Sequence, residues 1–371
     1  MHFETKAIHS GGAPDDATSS VAPPIHLSTT FQRSADSTPL HGFTYVREAN
    51  PTQSRLEEAL AVIESGTHAL AFGSGMGAAA AVLQALEPGS HVLLPDDSYY
   101  AMRTIARDFF PKWQITHDLV GMEDLDAVRN AMKPSTKLVW AESPSNPLMK
   151  ICDLAALARI AHDHGALFAV DGTFATPALQ RPIELGADLV MHSTTKYLGG
   201  HSDVAGGAVI FANDSFFHQV EHVRSILGAT ASPFNSWLVL RGIRTLAARM
   251  RMHSENAMRV AEFLASHPRV EVTHYPGLPS HPGHDIARRQ MSAFGGMLSF
   301  RVREGREAAI AVVSKTKLFI SATSLGGIES LIEHRASSEG PTTTTPENLL
   351  RLSVGLEHPD DLVDDLAQAL R

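Results

Sequence analysis

Short apolar segments alternate with helical patterns between residues 69 and 211, and this alternation constrains the fold more than any other feature. The apolar segments have the length of buried strands and span residues 69–72, 91–94, 137–141, 167–170, 189–191 and 208–211. Helical patterns lie between them, for example over residues 153–164, which Gly165 closes. A chain of this kind is expected to form an α/β structure, with a mostly parallel central sheet flanked by helices.

The composition bounds the size, the partners and the compartment. A length of 371 residues suggests about two domains, and a net charge of −9 argues against nucleic acid or an anionic membrane as the main partner. The single cysteine, Cys152, excludes an intrachain disulfide and favours a reducing compartment. The first residues lack the apolar core of a signal peptide, and no apolar run approaches the roughly 20 residues that span a bilayer. We therefore expect a cytoplasmic protein.

Polar side chains follow several of the predicted strands. In parallel sheets, ligands bind beyond the carboxyl ends of the strands, so residues at these ends are expected to meet at one edge of the sheet. An acid, a lysine, an aromatic ring and hydroxyl groups converge there. The residues concerned are Asp97, Tyr99, Ser143, Asn146, Asp171, Thr173 and the segment 193–196.

The segment 192–201 contains the lysine of this group, Lys196, directly after a predicted strand. A lysine that a strand end delivers into a pocket loses solvent, which lowers its pKa and makes it an amine that reacts with carbonyls. The hydroxyls of Ser193 and Thr195 are suited to donate hydrogen bonds to a phosphate. The alternative is an exposed lysine in a polar turn, since lysine is rarely buried.

A glycine-rich turn over residues 73–78 lies between a predicted strand and an alanine-rich helix. Free backbone N–H groups and the helix dipole point to one place in such a turn, which makes it a candidate anion site. The turn also loosely fits the dinucleotide-binding fingerprint, with Ala78 in the place of the third glycine. A turn that serves only close packing is the alternative.

Residues 1–50 are rich in Ser, Thr, Pro and Gly and are predicted to form an extended arm that packs on a second subunit. Tyr45 and Arg47 lie in this arm and could equally be solvated loop residues. A helix is then predicted from Asn50-Pro51, with Asn50 as its N-cap, to a stop at Gly66.

A long helix over residues 237–264 is expected to lead into a smaller C-terminal domain. That domain is predicted to contain strands over residues 296–302 and 349–354, with a polar loop over 336–348. The second of these strands places Arg351 among apolar neighbours. A buried arginine requires an anion, which could be a carboxylate of the protein or of a substrate.

Several motifs resemble the Cys/Met-metabolism family of pyridoxal-phosphate (PLP) enzymes, which includes cystathionine γ-synthase, cystathionine γ-lyase and methionine γ-lyase. The resemblance runs through nearly the whole chain and implies a fold-type-I PLP enzyme. Its domains would be an arm (1–50), a PLP-binding domain (51–240) and a smaller α/β C-terminal domain (241–371). The motifs that carry it are 22–25, 28–31, 50–52, 74–76, 146–147, 173–177, 192–201, 324–327 and 351–355.

The resemblance implies roles for the residues around the cofactor. Lys196 would carry PLP as a Schiff base and then transfer protons, Asp171 would face the pyridine nitrogen, and Tyr99 would stack on the ring and assist the leaving group. The remaining cofactor contacts would come from Gly75, Met76, Asn146, Thr173, Ser193 and Thr195.

The resemblance also implies contacts with a second subunit and with the substrate. Tyr45 and Arg47 would reach the phosphate of the neighbouring subunit, so the unit would be a dimer that shares its sites and usually pairs into a homotetramer. Arg351 would bind the α-carboxylate of an amino-acid substrate, helped by Ser324 and Asn146. Thr323 would lie beside the substrate. No metal is expected, since neither His192, His201 and Asp203 nor Cys152, His162 and His164 has a recurring zinc spacing.

The chain departs from the family pattern at several positions. Thr323 stands where cystathionine-handling members commonly have Glu, and Thr44 stands where an acid often precedes the arm tyrosine. Tyr100-Ala101 follows the stacking tyrosine in place of Gly-Gly or Gly-Cys, and Gly172 replaces the usual Asn. The segment 334–339 replaces the usual Met-Thr-His segment. Because cystathionine carries a distal ammonium, which favours a nearby carboxylate, the first two departures bear on the substrate.

The resemblance implies γ-elimination on a sulfur-containing amino acid, as in cystathionine γ-lyase. The alternatives are γ-replacement on an O-acylated homoserine, as in cystathionine γ-synthase, and γ- or β-elimination on methionine, homocysteine or another amino acid. Two functions from other classes are a dinucleotide oxidoreductase, which would leave Lys196 without a role, and a non-catalytic aldehyde-binding protein. A serine hydrolase is poorly supported, because the Gly-x-Ser-x-Gly motif is absent.

Overall fold

The computed structural model describes residues 1–340 and 343–371, and its larger sheet contains seven strands. In space the order is β1-β7-β6-β5-β4-β2-β3, and only β7 runs antiparallel to its neighbours β1 and β6. The prediction of a mostly parallel sheet is therefore confirmed. The strands are β1 (His68–Phe72), β2 (His91–Pro95), β3 (Thr116–Val120), β4 (Thr136–Glu142), β5 (Leu167–Asp171), β6 (Leu189–His192) and β7 (Gly207–Phe211).

The six strands predicted in this region are confirmed to within two residues at each end, whereas β3 was not predicted. β3 lies at an edge of the sheet and pairs only with β2 among the described strands. Its sequence, Thr-His-Asp-Leu-Val, is largely polar, and four of its five residues are at least partly exposed. An edge strand with little buried surface lacks the apolar run by which the inner strands were recognised.

Helices cover both faces of this sheet and supply its packing. Trp140 on β4 and Phe168 on β5 are fully buried in the two apolar clusters on opposite faces. Each such side chain contributes roughly 1.5–3 kcal/mol by leaving water. The helices before and around the sheet are α1 (Phe3–His9), α2 (Pro51–Glu64), α3 (Gly75–Gln84), α4 (Tyr100–Asp108), α5 (Phe110–Trp113), α6 (Leu125–Ala131), α7 (Leu154–Asp163), α8 (Thr176–Leu179) and α9 (Phe217–Leu227), with a 3₁₀ turn at Pro182–Leu185.

Helix α2 begins and ends close to the predicted positions. The side chain of Asn50 accepts a hydrogen bond from the Thr52 backbone N–H at 2.9 Å, and Pro51 occupies the first helical position. The helix ends at Glu64 because Ser65 adopts a left-handed conformation with φ of 64°, one residue before the predicted stop at Gly66. The N-cap signal thus determines where this helix begins, whereas its end is set by Ser65 and not by the glycine.

The predicted helix over 237–264 is wrong as one element, because the chain forms α10 (Pro233–Ile243) and α11 (Leu246–Ser266). The break lies at Arg244-Thr245. There the Gly242 carbonyl accepts hydrogen bonds from the Thr245 N–H and hydroxyl, each at 3.2 Å, and from Arg249 Nη2 at 2.7 Å. Side-chain donors that compete for a carbonyl in this way interrupt the helical hydrogen-bond ladder.

A second sheet of five strands follows α11, in the order β10-β11-β12-β9-β8. Its strands are β8 (Val270–His274), β9 (Met297–Val302), β10 (Ile320–Ser321), β11 (Leu331–His334) and β12 (Leu349–Ser353), which confirms the predicted strands at 296–302 and 349–354. The remaining helices are α12 (His284–Gln290), α13 (Arg306–Lys315), α14 (Arg335–Glu339) and α15 (Pro359–Ala369). The smaller α/β unit is therefore present, while the domain boundaries at residues 50 and 240 stay predictions.

Two irregular segments contain helices that were not predicted. The arm begins with α1, whose Ala7 is buried in the same cluster as Leu56 and Leu60 of α2, and its later residues are mostly exposed. The loop predicted over 336–348 begins with α14, and Thr342 lies outside the described residues. Both helices are shorter than eight residues, which is too short for a clear periodicity in the sequence. No helix of the described ranges is long and apolar enough to cross a membrane.

Candidate active site

A cleft of about 240 Å³ lies at the carboxyl ends of β4, β5 and β6 and is closed on its other side by residues of the second sheet. Of the residues expected to meet at this edge, it collects all but Asp97, which accepts from the Ser145 hydroxyl at 2.5 Å, and Ser143, which accepts from the Cys152 N–H. Tyr45 and Arg47 also lie outside it. The predicted residues in its lining are Gly75, Met76, Tyr99, Asn146, Asp171, Thr173, Ser193, Thr195, Lys196, Thr323, Ser324 and Arg351. Lining residues that sequence reasoning did not assign to the site include Tyr100, Glu142, Phe174 and Arg335.

Lys196 is half-buried in this cleft, so the alternative of an exposed lysine in a polar turn is wrong. Its Nζ donates a hydrogen bond to the Ser324 hydroxyl at 2.7 Å. Burial, and then the positive charge of Arg351, lower the pKa of Lys196 to about 8. A substantial fraction of this amine is therefore neutral near physiological pH, as a carbonyl-reactive amine or a proton acceptor requires.

The backbone that presents Lys196 is braced by helix α11. Arg249 donates to the Tyr197 carbonyl through Nη1 at 2.8 Å, beside Gly200, whose φ is +75°. A Cβ atom at Gly200 would lie 2.5 Å from Arg249 Cζ, so only glycine fits both the conformation and the space. The same helix carries His253, whose Nδ1 donates to the Val354 carbonyl at 2.7 Å, directly after β12.

Two carboxyl groups meet at the ends of neighbouring strands. Asp171 on β5 is the register partner of Glu142 on β4. Burial raises the pKa of Asp171, whereas hydrogen bonds from Thr173, including its N–H at 3.0 Å, oppose this effect. Burial and the charge of Asp171 raise the pKa of Glu142 well above its usual value, although Glu142 accepts from the Tyr99 N–H at 2.9 Å. Of the two, Asp171 is therefore the better placed to carry a negative charge.

Gly172, where the resembled family usually has Asn, lies directly behind this pair. A Cβ atom there would lie 2.8 Å from Cε1 of His192, which is itself buried and hydrogen-bonded to Glu64 at 2.8 Å. Glycine at this position therefore follows from the packing of the His192 ring. The buried hydrogen bond with Glu64 gives His192 a structural role. Within the described ranges, no three His, Cys, Asp or Glu side chains are arranged to hold a metal ion.

The N-terminus of α3 forms the opposite end of the cleft. Ser74 caps the helix by accepting from the Gly77 N–H at 3.0 Å, and the N–H groups of Gly75 and Met76 belong to the first turn, where no helical carbonyl can pair with them. A Cβ atom at Gly75 would lie 2.8 Å from Ser193 Cβ, so this turn sits close against the Ser193 hydroxyl. Such a set of donors at a helix N-terminus suits a phosphate.

Thr195 lies beside this end, but its hydroxyl already takes part in the turn. It donates to the Gly206 carbonyl at 3.2 Å and accepts from the Gly206 N–H at 3.0 Å. Thr173 likewise accepts from the Ser193 N–H at 2.9 Å through its hydroxyl. These bonds fix the shape of the donor set, and the predicted cofactor contacts of Thr195 and Thr173 stay predictions.

Arg351 is buried on β12 and reaches the cleft from the second sheet. Its guanidinium donates to Asn146 Oδ1 at 3.0 Å, to the Ser324 carbonyl at 2.9 Å and to Glu333 Oε2 at 2.5 Å. Burial, and then the charge of Arg335, lower the pKa of Arg351 to about 10. A protein carboxylate, from the register partner Glu333 on β11, thus pairs with this arginine, and its role toward a substrate carboxylate stays a prediction.

Tyr99 and Tyr100 pack edge to face in the cleft, with ring centroids 4.8 Å apart. Burial and the neighbouring Tyr100 raise the pKa of Tyr99 to about 12. The Tyr99 hydroxyl therefore keeps its proton at neutral pH and acts as a hydrogen-bond donor or acceptor. Tyr100, the first residue of α4, could be found from sequence only as a departure from the family pattern.

Tyr45 and Arg47 lie outside this cleft. Tyr45 is 42% exposed, and the guanidinium of Arg47 lies 5.5 Å from the centre of its ring and donates to the Ser225 carbonyl. They are thus placed on the surface of the arm, away from the cleft of their own chain. Their contact with the phosphate of a neighbouring subunit stays a prediction.

The donor set of the cleft fits PLP. The α3 N-terminus and Ser193 offer donors for a phosphate, Asp171 offers an acceptor for a protonated ring nitrogen, and Lys196 offers an amine for an aldehyde. Because these three groups lie in one cleft, a ligand that carries a phosphate, an aromatic nitrogen and an aldehyde satisfies all of them at once.

Comparisons with known proteins agree with this fit. A family model described as Cys/Met metabolism PLP-dependent enzyme matches residues 4–371. The chain is 50% identical to cystathionine gamma-synthase of Mycobacterium tuberculosis (strain H37Rv) over 372 residues, which cover 99% of this chain and 96% of the relative. It is 43% identical to cystathionine beta-lyase of Coxiella burnetii, covering 100% and 98%. The crystal structure of metB from Corynebacterium glutamicum superimposes with a TM-score of 0.98 at 41% identity, covering 100% and 98%.

Proposed function

This chain belongs to the Cys/Met metabolism family of PLP-dependent enzymes and is a trans-sulfuration enzyme, and we propose that it joins cysteine to an O-acylated homoserine by γ-replacement. Support comes from its similarity to relatives named cystathionine gamma-synthase and from the chemistry of the cleft. The sequence-based expectation of γ-elimination on cystathionine becomes the competing outcome of the test below.

The observation that carries the proposal is the distribution of carboxylates in the cleft. Among the described residues, the acids in the lining are Glu142 and Asp171, which both lie at the strand ends of the larger sheet. Thr323, beside Ser324, contributes a neutral hydroxyl. The distal ammonium of cystathionine would therefore find no dedicated carboxylate to retain it. An O-acyl group carries no ammonium, so the first substrate needs none, and the cystathionine formed with cysteine would be released rather than held for cleavage.

The substrate would be held by its α-carboxylate at Arg351. Planar guanidinium groups bind carboxylates in a fixed orientation, and Asn146 and Ser324 already fix this one on two sides. Lys196, which bonds Ser324, would then lie beside the α-carbon. The proposed contacts of Gly75, Met76 and Ser193 with the phosphate and of Asp171 with the ring nitrogen would hold the cofactor.

When bound, PLP supplies an electron-accepting ring that stabilises negative charge on the carbons of the substrate. Lys196 Nζ would accept the α-proton, deliver it to the cofactor-bound substrate and, neutral again, accept a β-proton, after which the γ-carbon–oxygen bond breaks and the acyl group leaves as a carboxylate. The sulfur of cysteine would form the new γ-carbon–sulfur bond while its thiol proton passes to solvent, and Lys196 would return protons to the β- and α-carbons. The protonated Tyr99 hydroxyl would donate a hydrogen bond to the leaving oxygen.

Tyr45 and Arg47 would complete the site of a second copy of this chain, which makes a dimer the smallest active unit. The arm that carries them is mostly exposed in a single chain, which supports this assignment. The buried single cysteine fits a reducing compartment, and the cytosol remains the proposed location.

The test is a comparison of two reactions with purified, PLP-loaded protein. O-acetylhomoserine or O-succinylhomoserine with cysteine should yield cystathionine, and cystathionine alone should yield keto acid and ammonia more slowly. A faster release of keto acid from cystathionine would favour γ- or β-elimination and refute the proposal. Lys196→Ala should abolish both reactions, and undiminished turnover by this variant would contradict the role of the lysine.

A further inference from the structure

A buried chain of alternating charges extends from the cleft towards the surface. Arg351 pairs with Glu333 at 2.5 Å, Glu333 with Arg335 at 3.1 Å, Arg335 with Glu339 at 2.8 Å, and Glu339 with Arg103 at 3.4 Å. The side chains of Arg335 and Glu339 are each 3% exposed. The five groups come from four elements, β12, β11, α14 and α4, so the chain of charges joins the two sides of the cleft.

One carboxylate oxygen of Glu333 is shared between two arginines. Oε2 accepts from Arg351 Nη2 and also from Arg335 Nη1. If Arg335 were absent, the whole charge of Glu333 would act on Arg351, the group proposed to bind the substrate carboxylate. A protein carboxylate that pairs more strongly with Arg351 competes with the carboxylate of a ligand.

Arg335 is in turn fixed by Glu339. Oε1 of Glu339 accepts from Arg335, and Oε2 accepts from the hydroxyls of Thr343 and Thr345 at 2.7 and 3.0 Å. Burial opposes ionisation of Glu339, but the Thr343 hydroxyl and the charge of Arg335 outweigh it and lower its pKa. Glu339 is therefore a charged, fully bonded anchor for the arginine.

We propose that Arg335 and Glu339 are positioning residues of this active site, which act through Glu333 to orient Arg351 and keep it available for the α-carboxylate of the substrate. The inference rests on the proposed role of Arg351 and deepens it. Arg335 and Glu339 both lie in the segment 334–339, where this chain departs from the pattern of its family, so the departure would serve to orient Arg351.

The experiment measures binding of L-norvaline, an α-amino acid without a leaving group, to the PLP-loaded protein by isothermal titration calorimetry. Arg335→Met should weaken binding about 10- to 100-fold, the effect of one charge-assisted hydrogen bond. Arg335→Lys, which restores the charge, should recover part of the loss. Arg306→Met is the matched control. Exposed Arg306 lies on α13, outside the cleft, and donates at 3.2 Å to Ser337 of α14, the helix that carries Arg335. The control should bind as the unaltered protein does.

Steady-state kinetics separate positioning from general damage. In the proposed γ-replacement, Arg335→Met should raise KM for the acylated homoserine by a similar factor and change kcat much less. Binding of L-norvaline within about twofold of the unaltered protein would overturn the inference. An equal loss with Arg335→Lys would also overturn it.

A second variant decides the question if Arg335→Met does not fold. Glu339→Gln keeps the shape of the side chain and should weaken L-norvaline binding about 3- to 10-fold, since it removes one charge three contacts away from Arg351. Unchanged binding by this variant would refute the proposal. Binding of L-norvaline by a protein that makes no cystathionine would reject the proposed reaction, while the comparison of the Arg335 variants would still test the positioning role.

Discussion

Gly200 lies in the turn that presents Lys196, and Gly200→Ala tests whether this turn depends on its contact with α11. The added methyl group would lie 2.5 Å from Cζ of Arg249, and the backbone φ of +75° is unfavourable for alanine. Arg249 has little room to retreat, because it is buried and donates to the Tyr197 carbonyl, the Gly242 carbonyl and the Thr245 hydroxyl.

The expected loss in the free energy of unfolding has a backbone contribution and a contact contribution. The left-handed conformation costs alanine about 1–2 kcal/mol, and the lower entropy of the unfolded chain returns about 0.4–1 kcal/mol. Displacing Arg249 breaks at least one charge-assisted hydrogen bond, at about 1.5–3 kcal/mol. We therefore expect Gly200→Ala to lower the free energy of unfolding by roughly 2–4 kcal/mol.

The assay is urea unfolding of Gly200→Ala beside a matched control, Gly165→Ala. Gly165 has a similar φ of +69°, but a Cβ atom there would meet no heavy atom of the described residues within 4 Å. The control should therefore lose only about 0–1.6 kcal/mol, the backbone contribution alone. Equal losses in the two variants would refute the reasoning, because the contact with Arg249 would then contribute nothing.

Other expectations concern the acids, the lysine and the substrate. The rate at which PLP-free protein takes up PLP should rise with pH and level off above about 8, because only the neutral amine of Lys196 reacts; a rate independent of pH between 6 and 9 would contradict the lowered pKa. Glu142→Gln should keep turnover within about twofold, since the raised pKa of Glu142 already favours its neutral form. Asp171→Asn should lower turnover about 10- to 100-fold, and similar losses in the two variants would contradict the assignment of the negative charge to Asp171. Thr323→Glu should raise the ratio of cystathionine cleavage to cystathionine synthesis in paired assays, and a lower ratio would argue against the carboxylate argument.

The inner strands of the larger sheet and the residues at their ends were predictable from the sequence. Strands such as β4 and β5 are buried on both faces and therefore appear as apolar runs, and parallel strands bring their carboxyl ends together by geometry alone. This is why Asp171 and Lys196 were expected in one cleft although 25 positions separate them.

What could not be predicted depends on contacts between distant segments. Arg335 lies on a helix of five residues without a clear periodicity, and its relation to Arg351 requires the pairing of β11 with β12. Glu142 carries no signal of its own in the sequence, because its raised pKa follows from burial beside Asp171. The break between α10 and α11 coincides with hydrogen bonds from Thr245 and Arg249 to the Gly242 carbonyl, and such side-chain bonds leave no mark on the hydrophobic periodicity.

Helix α11 bonds to the backbone beside two functional side chains of the cleft, since Arg249 donates to the Tyr197 carbonyl next to Lys196 and His253 donates to the Val354 carbonyl after β12. One helix thus sets the distance between the amine proposed to transfer protons and the guanidinium proposed to bind the substrate carboxylate. Because both contacts come from the same helix, the spacing between the two groups depends on regular backbone and not on a loop. A β-amino acid, whose carboxylate lies one methylene further from its nitrogen, would not match the spacing that α11 sets between Lys196 and Arg351.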